Sequence, residues 1–195
     1  AQASLQMRKI WLQIHNHESA YKFLPGGMDR GEAYYGRLSW RVHILPFLGD
    51  AEAELFERFR LDEDWDSEHN KQLIPLLPAI FIMPNSALLP SQGLSNFCVP
   101  TGPDTMWPLD RVLKFEDITD RDTLAVFEVQ DKYAQVWTKP ELLEVDPNDL
   151  ASRLGGHFAG EFLMMTIDGR AMPIFRSLDM EPEQFARMLT RAAGD

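Results

Sequence analysis

The chain has 195 residues, 45% hydrophobic, 25% charged and 11% aromatic, a globular composition that argues against disorder or a fibrous architecture and is long enough for one packed core. Acidic side chains number 30 against 19 basic ones, a formal charge of −11, so the long-range field repels phosphate backbones and anionic lipid, and nucleic acid is not an expected partner. No apolar run approaches the roughly 18 to 20 residues that span a bilayer, and the one cysteine, Cys98, has no partner for an internal disulfide.

Ala3, Met7, Ile10, Ile14, His17 and Tyr21 recur at steps of four and three. That spacing predicts an amphipathic helix of about five turns, its stripe broadened by Leu5, Trp11 and Leu12. Phe23-Leu24-Pro25-Gly26-Gly27 stops it, because proline cannot donate to the helix ladder and paired glycines favour turns. After a polar, glycine-containing connection, Leu38 to Leu45 alternates Trp40, Val42 and Ile44 with Ser39, Arg41 and His43, which predicts a strand ended by Pro46. Ala51, Leu55, Phe56 and Phe59 have helical spacing, with Asp50 available as a cap, and Asp66 or Ser67 is placed to cap a helical turn running to Ile74.

Eight of the 13 prolines lie between Pro46 and Pro108, which disfavours long central strands there. Short strands are expected at Ile80 to Met83 and Asn96 to Val99, and a hairpin from Thr123 to Val129 and Tyr133 to Trp137. Glu161 to Ile167 and Arg170 to Phe175 flank Asp168-Gly169, a dipeptide suited to a type I′ turn, and Pro173 predicts that the second strand is an edge or bulged. Phe185, Met188, Leu189 and Ala192 follow helical spacing after Pro182, with Gly194 past the end. No internal repeat or low-complexity linker divides the chain. The expectation is one α+β domain over residues 1–195, a long N-terminal helix laid on a mostly antiparallel sheet, with a short C-terminal helix.

The candidate chemistry is sparse. His15 and His17 stand two apart on a helix, about 200° from each other, and cannot chelate together; His17, on the apolar seam, reads as a packed, hydrogen-bonded core residue. His43, His69 and His157 lie on three different elements and share no metal-ligand spacing. Asp62, Asp64 and Asp66 reproduce the first three ligand positions of a calcium loop, but Ser67 stands where glycine makes the turn and Leu73 where a bidentate glutamate closes the site. They remain the candidate metal ligands, against a reading in which the segment caps a helical turn and Trp65 packs inward. Asp146-Pro147-Asn148-Asp149 resembles a helix start. Cys98, between Phe97 and Val99, reads as a buried strand thiol with a raised pKa. Glu161/Asp168 and Asp117/Asp120 are nominal acid-base pairs, but carboxylates at turns are usually solvated or cap backbone N–H groups. No nucleophile elbow and no phosphate-cradling glycine motif is present. A noncatalytic protein without a cofactor is expected. Trp40, Trp65, Trp107 and Trp137 are candidates to line an apolar pocket, which a small-molecule binding protein would need.

Several blocks together resemble a large bacterial family with a prepilin-type N-terminus, catalogued as domain of unknown function 1559 and also labelled a solute-binding family. They are Lys9 to Asn16 (KIWLQIHN) leading to Phe23-Leu24-Pro25, Leu38 to Val42 (LSWRV), Leu61 to Asn70 (LDEDWDSEHN), Asp117-Ile118-Thr119-Asp120, Trp137 to Glu141 (WTKPE), and Gly155-Gly156-His157 followed by Asp168-Gly169. The resemblance implies a type IV pilin-like plan: a helix whose hydrophobic first half anchors or assembles in the membrane, bearing a globular head. The chain opens at Ala1 without that first half, so the resemblance implies an exported head, periplasmic or at the cell surface, membrane-anchored through an upstream segment. Its partners would be other envelope or pilin-like proteins or further copies of itself; the alternative is a periplasmic solute-binding protein. His157, Asp168 and Gly169 then become the candidate interaction or processing motif. Two departures stand out. Arg121-Asp122-Thr123 replaces the family's glycine and serine-asparagine stretch, and ten residues rather than nine separate His157 from Asp168-Gly169.

Overall fold

The computed structural model describes residues 2–26, 37–141, 143–168 and 172–192. Helix α1 spans Gln2–Tyr21 and buries Ala3, Met7, Ile10, Trp11, Ile14 and His17, the predicted seam. Met7, Ile10, Trp11 and Ile14 are wholly removed from solvent, contributing about 1.5–3 kcal/mol each. Leu5, 64% exposed, and Leu12, 42% exposed, do not broaden the stripe; they lie on the outward side. The helix ends at Lys22, whose left-handed backbone (φ 69) lets its N–H return to the Glu18 carbonyl at 2.7 Å.

The segment Leu38 to Leu45 is not a strand: it is helical from Trp40 onward. α2 (Trp40–His43) begins at Ser39, whose hydroxyl accepts the Arg41 N–H, and α3 (Leu45–Leu48) follows with Pro46 in its first turn. The apparent alternation misleads because Ser39, Arg41 and His43 are as buried as Trp40, Val42 and Ile44. α4 covers Asp50–Glu57, with Gly49 rather than Asp50 in the cap position. The proline-rich middle forms 3-10 turns at Asn70–Leu76 and Ala79–Phe81; the second replaces the strand expected at Ile80 to Met83, because the Phe81 N–H turns back to the Pro78 carbonyl.

Two small sheets follow. β1 (Leu94–Ser95) pairs with β4 (Gln135–Val136), while β2 (Phe97–Cys98), β3 (Leu124–Glu128), β5 (Glu161–Thr166) and β6 (Ile174–Ser177) form an antiparallel sheet ordered β2-β3-β5-β6. The expected hairpin between β3 and β4 is therefore absent: after Val129, bonded to the Asn96 carbonyl, the chain makes a 3-10 turn at Asp131–Tyr133 and β4 joins β1. A β5/β6 hairpin forms, from Glu161↔Ser177 to Met164↔Ile174, but its second strand is Ile174–Ser177 rather than Arg170 to Phe175, and its register is one residue away from the one a two-residue Asp168-Gly169 turn sets; β6 is an edge strand just after Pro173. Gly169 of its expected turn lies outside the described residues.

Both sides of the sheet are covered. Leu163 and Met165 join the cluster built on α1, whereas Phe162 and Met164 join a second cluster with Phe185 and Met188 of α5 (Pro182–Leu189). β5 thus obeys the period of two while burying every residue from Phe162 to Thr166. In β3 a bulge between Leu124 and Val126 lets consecutive Ala125 and Val126 both face the α1 cluster, with Leu124 and Phe127 on the other side. The α+β class and the helix-on-sheet arrangement hold; the α5 layer makes the sheet the middle of three. α5 stops at Leu189, so Ala192 follows the helix rather than extending its stripe, and Gly194 lies outside the described residues.

Candidate functional site

His157 stands on the loop after Gly155 and Gly156, whose positive φ values (70 and 88) set its approach to β3. Its side chain is 4% exposed and lies between two carboxylates: Nδ1 is 3.4 Å from Glu128 Oε2 and Nε2 is 2.9 Å from Asp131 Oδ1. Glu128 is fully buried, and its other oxygen accepts the Leu163 N–H at 3.2 Å. Asp131 accepts three further bonds, from Ser86 Oγ, the Ala87 N–H and Asn96 Nδ2. A neutral imidazole presents one N–H and one lone pair, so only the imidazolium suits an acceptor on each side. Burial opposes charge on His157, but Glu128 and Asp131 outweigh it and raise its pKa above the ordinary 6.5. Burial likewise opposes charge on Asp131, and the donors from Ser86, His157, Ala87 and Asn96 overcome it, lowering its pKa to about 2. Asn85 completes the arrangement by donating to the His157 carbonyl at 2.6 Å. The cluster ties residues 85–87, the end of β3 and the loop before β5 into one charged strut.

A second buried charge pair sits beneath α2. Arg41 and Glu141 are 0% and 1% exposed and paired to each other. Arg41 also donates to the Phe97 carbonyl through Nε (3.1 Å) and Nη2 (2.7 Å), and through Nη1 to Ser39 Oγ and the Trp137 carbonyl. Glu141 accepts from Trp40 Nε1 and the Val99 N–H. Burial pushes the Glu141 carboxyl up, against the pull of Arg41. Cys98 lies beside this pair, and burial, with Glu141, pushes its thiol well up, in keeping with the expected inert strand cysteine. Against the pair lies an apolar cavity of about 90 Å³, its walls including Trp40, Val99, Met106, Trp107 and Leu113. Two of the four tryptophans proposed to line a pocket do so. Trp137 instead stacks on Phe81 in the core, and Trp65 packs beside Lys139.

The remaining candidates disperse. His17 is buried with Nδ1 3.1 Å from the Phe23 carbonyl, the packed core histidine expected, and His15 packs against Trp11 and Phe115. His43 lies in the α1 core near His17 and Phe56, while His69 meets the Arg58 carbonyl at 2.7 Å, so His43, His69 and His157 occupy separate surroundings. Asp62, Asp64 and Asp66 are exposed, and Asp64 pairs with Arg37 at 3.3 Å. Among the described residues no group of three or more His, Cys, Asp or Glu side chains is placed to hold a metal ion. Ser67 accepts the Asn70 N–H, and buried Asn70 donates to the carbonyls of Arg60, Glu63 and Asp64, so the acidic segment is a loop wound around one asparagine. Asp117 and Asp120 accept the Lys114 and Asp122 N–H groups, as turn carboxylates do. Asp168 lies just past β5 and is not among the partners of His157.

Sequence reasoning missed Glu128, Asp131, Arg41 and Glu141. Two of these carried a signal: Glu128 within Leu124 to Val129, and Arg41 within Leu38 to Leu45, are charges embedded in apolar runs, and a buried charge needs a partner.

The family model described as a protein of unknown function (DUF1559), and labelled a solute-binding family, matches residues 1–94. The match covers just under half of the chain. The matched stretch carries α1 to α4 and the loop around Asn70, and brings Trp40 and Arg41 to the second charge pair. Glu128, Asp131 and His157, with Asp168, lie beyond the DUF1559 match. No curated protein and no solved structure matches the chain. Among the described residues no helix is long and apolar enough to cross a membrane.

Proposed function

We propose that this chain is the globular head of a pilin-like cell-envelope protein, noncatalytic, whose work is assembly or partner binding. The observation that carries the reading is α1: 20 residues long, docked by one stripe onto the sheet, with Leu5 and Leu12 on its outer side. The DUF1559 match over the same residues supports it. Neither polar cluster favours catalysis. His157 is held between two carboxylates, with Nε2 bonded to Asp131 and Nδ1 3.4 Å from Glu128 Oε2 without hydrogen-bond geometry, and each oxygen of Glu141 already accepts a bond. Expression from the complete gene followed by cell fractionation tests the reading. Recovery in the envelope fraction, released by detergent, is expected; a protein that stays in the cytosol overturns it.

A second reading, a periplasmic solute-binding protein, rests on the cavity beside Trp40 and Trp107. At about 90 Å³ it is well below the roughly 300–1,000 Å³ of drug-sized ligand sites, so any solute it takes is small. A thermal-shift screen separates the readings: a ligand at 100 times its Kd adds about 2.7 kcal/mol of stability, and a flat screen removes the second.

A further inference from the structure

We propose that the cavity between α2 and residues 106–113 binds a small aliphatic carboxylate, its chain inward and its charge at Arg111. This names the ligand class for the solute-binding reading and rests on that reading.

Most hydrogen-bonding groups at the inner end of the cavity are already engaged. Trp40 Nε1 is taken by Glu141 and Trp107 Nε1 by the Ala125 carbonyl at 2.8 Å. Ser39 Oγ already serves Arg41, and the Thr101 hydroxyl donates to the Leu143 carbonyl. What these residues present inward, with Met106 and Leu113, is carbon, and a polar group pushed there would lose its water without replacement. The deep part of a ligand must therefore be apolar. Its size follows from the volume: about 90 Å³ is smaller than the roughly 150 Å³ apolar cavity that takes benzene, which leaves room for a chain of about three to five carbons.

The charge of the ligand follows from the wall. Two charged side chains are among the described residues lining the cavity: Glu141, the buried partner of Arg41, and Arg111. Arg111 is exposed, and no carboxylate or carbonyl among the described residues pairs with it. Glu141 is neutralised from behind by Arg41, so the uncompensated charge at the cavity is the guanidinium, whose planar fork suits a carboxylate. That preference is local, since the chain as a whole carries −11 and repels anions at long range.

The test is a calorimetric and NMR titration of the protein at pH 7 with pentanoate, pentan-1-ol and acetate, repeated on Arg111→Gln. Among the described residues the tip of Arg111 makes no structural bond, and Arg111 is exposed, so the variant is expected to fold as the parent does. Pentanoate is expected to bind more tightly than either the uncharged chain or the short acid, and to move the indole N–H signals of Trp40 and Trp107 but not those of Trp11 and Trp137. In Arg111→Gln the affinity for pentanoate falls about tenfold, to that of pentan-1-ol. Equal binding of pentanoate and pentan-1-ol by the parent, or undiminished pentanoate binding by Arg111→Gln, overturns the carboxylate assignment while leaving an apolar solute site. Failure of pentanoate and pentan-1-ol alike to bind overturns both the assignment and the solute reading beneath it.

Discussion

His157 holds its position through charge on both sides, so its contribution to stability depends on pH with a definite sign. Its pKa is raised by folding. The stabilisation is therefore complete below the ordinary value near 6.5 and is lost as pH climbs through the raised one. Asp131, lowered from 3.8 to about 2, behaves oppositely: its contribution is present above 3.8 and is lost as pH falls toward 2. The strut is thus strongest from about pH 4 to 6.5. His157→Gln strands the fully buried Glu128 and is expected to cost about 3 kcal/mol at pH 6. Urea titrations of both proteins from pH 6 to 9 should show that deficit shrinking, because the parent loses its imidazolium too. A deficit constant across the range would mean that the ring is neutral throughout. The strut was partly legible beforehand, since His157 stood out by its glycines, but its partners lie 29 and 26 positions earlier in the chain, and no local spacing connects them.

At the scale of elements, periodicity was informative wherever one side of a segment meets solvent. α1 is the clearest instance, and it separates two substitutions. Ile14→Asp places a charge among residues with no exposure and is expected to cost at least about 4 kcal/mol, a large share of the 5–15 kcal/mol that holds a domain folded. Leu5→Asp, at 64% exposure, should change stability by less than about 0.5 kcal/mol. Thermal unfolding followed by circular dichroism checks both, and an Ile14→Asp protein as stable as the parent would mean that the stripe is not core. Where polar members of a segment are themselves buried, alternation loses its meaning. Ser39, Arg41 and His43 look like the wet side of a strand, yet Ser39 caps α2 and Arg41 and His43 lie within it, all three buried, with the polar atoms of Ser39 and Arg41 bonded inside the protein. The β3/β4 pairing failed for a different reason. Closeness in sequence favoured a hairpin, whereas the bonds of Asp131 to Ser86, Ala87, Asn96 and His157 take the chain away from the sheet.

For the molecule as a whole, the sheet is the shared wall of two apolar clusters, and every tryptophan lies on one side of it. Trp11, Trp40, Trp107 and Trp137 belong to the α1 cluster and Trp65 packs against it, while the α5 cluster has none. Tryptophan fluorescence therefore reports one layer and far-ultraviolet circular dichroism reports both. Because β3 and β5 contribute residues to each cluster, the two signals are expected to change at the same urea concentration. Separate midpoints would mean that the α5 layer comes away first. The second cluster was not legible in the sequence, since Phe162 to Met165 is continuously apolar and such a run shows no preferred side. The outer strand of this sheet also constrains how neighbouring molecules can meet. β6 is four residues long, follows Pro173 and has the Ile174 to Ser177 side chains alternating between half-buried and exposed. A rim this short offers few free amides and carbonyls for another polypeptide to extend, so lateral joining of copies along it depends on fitting side chains such as Phe175 rather than on continuing the ladder.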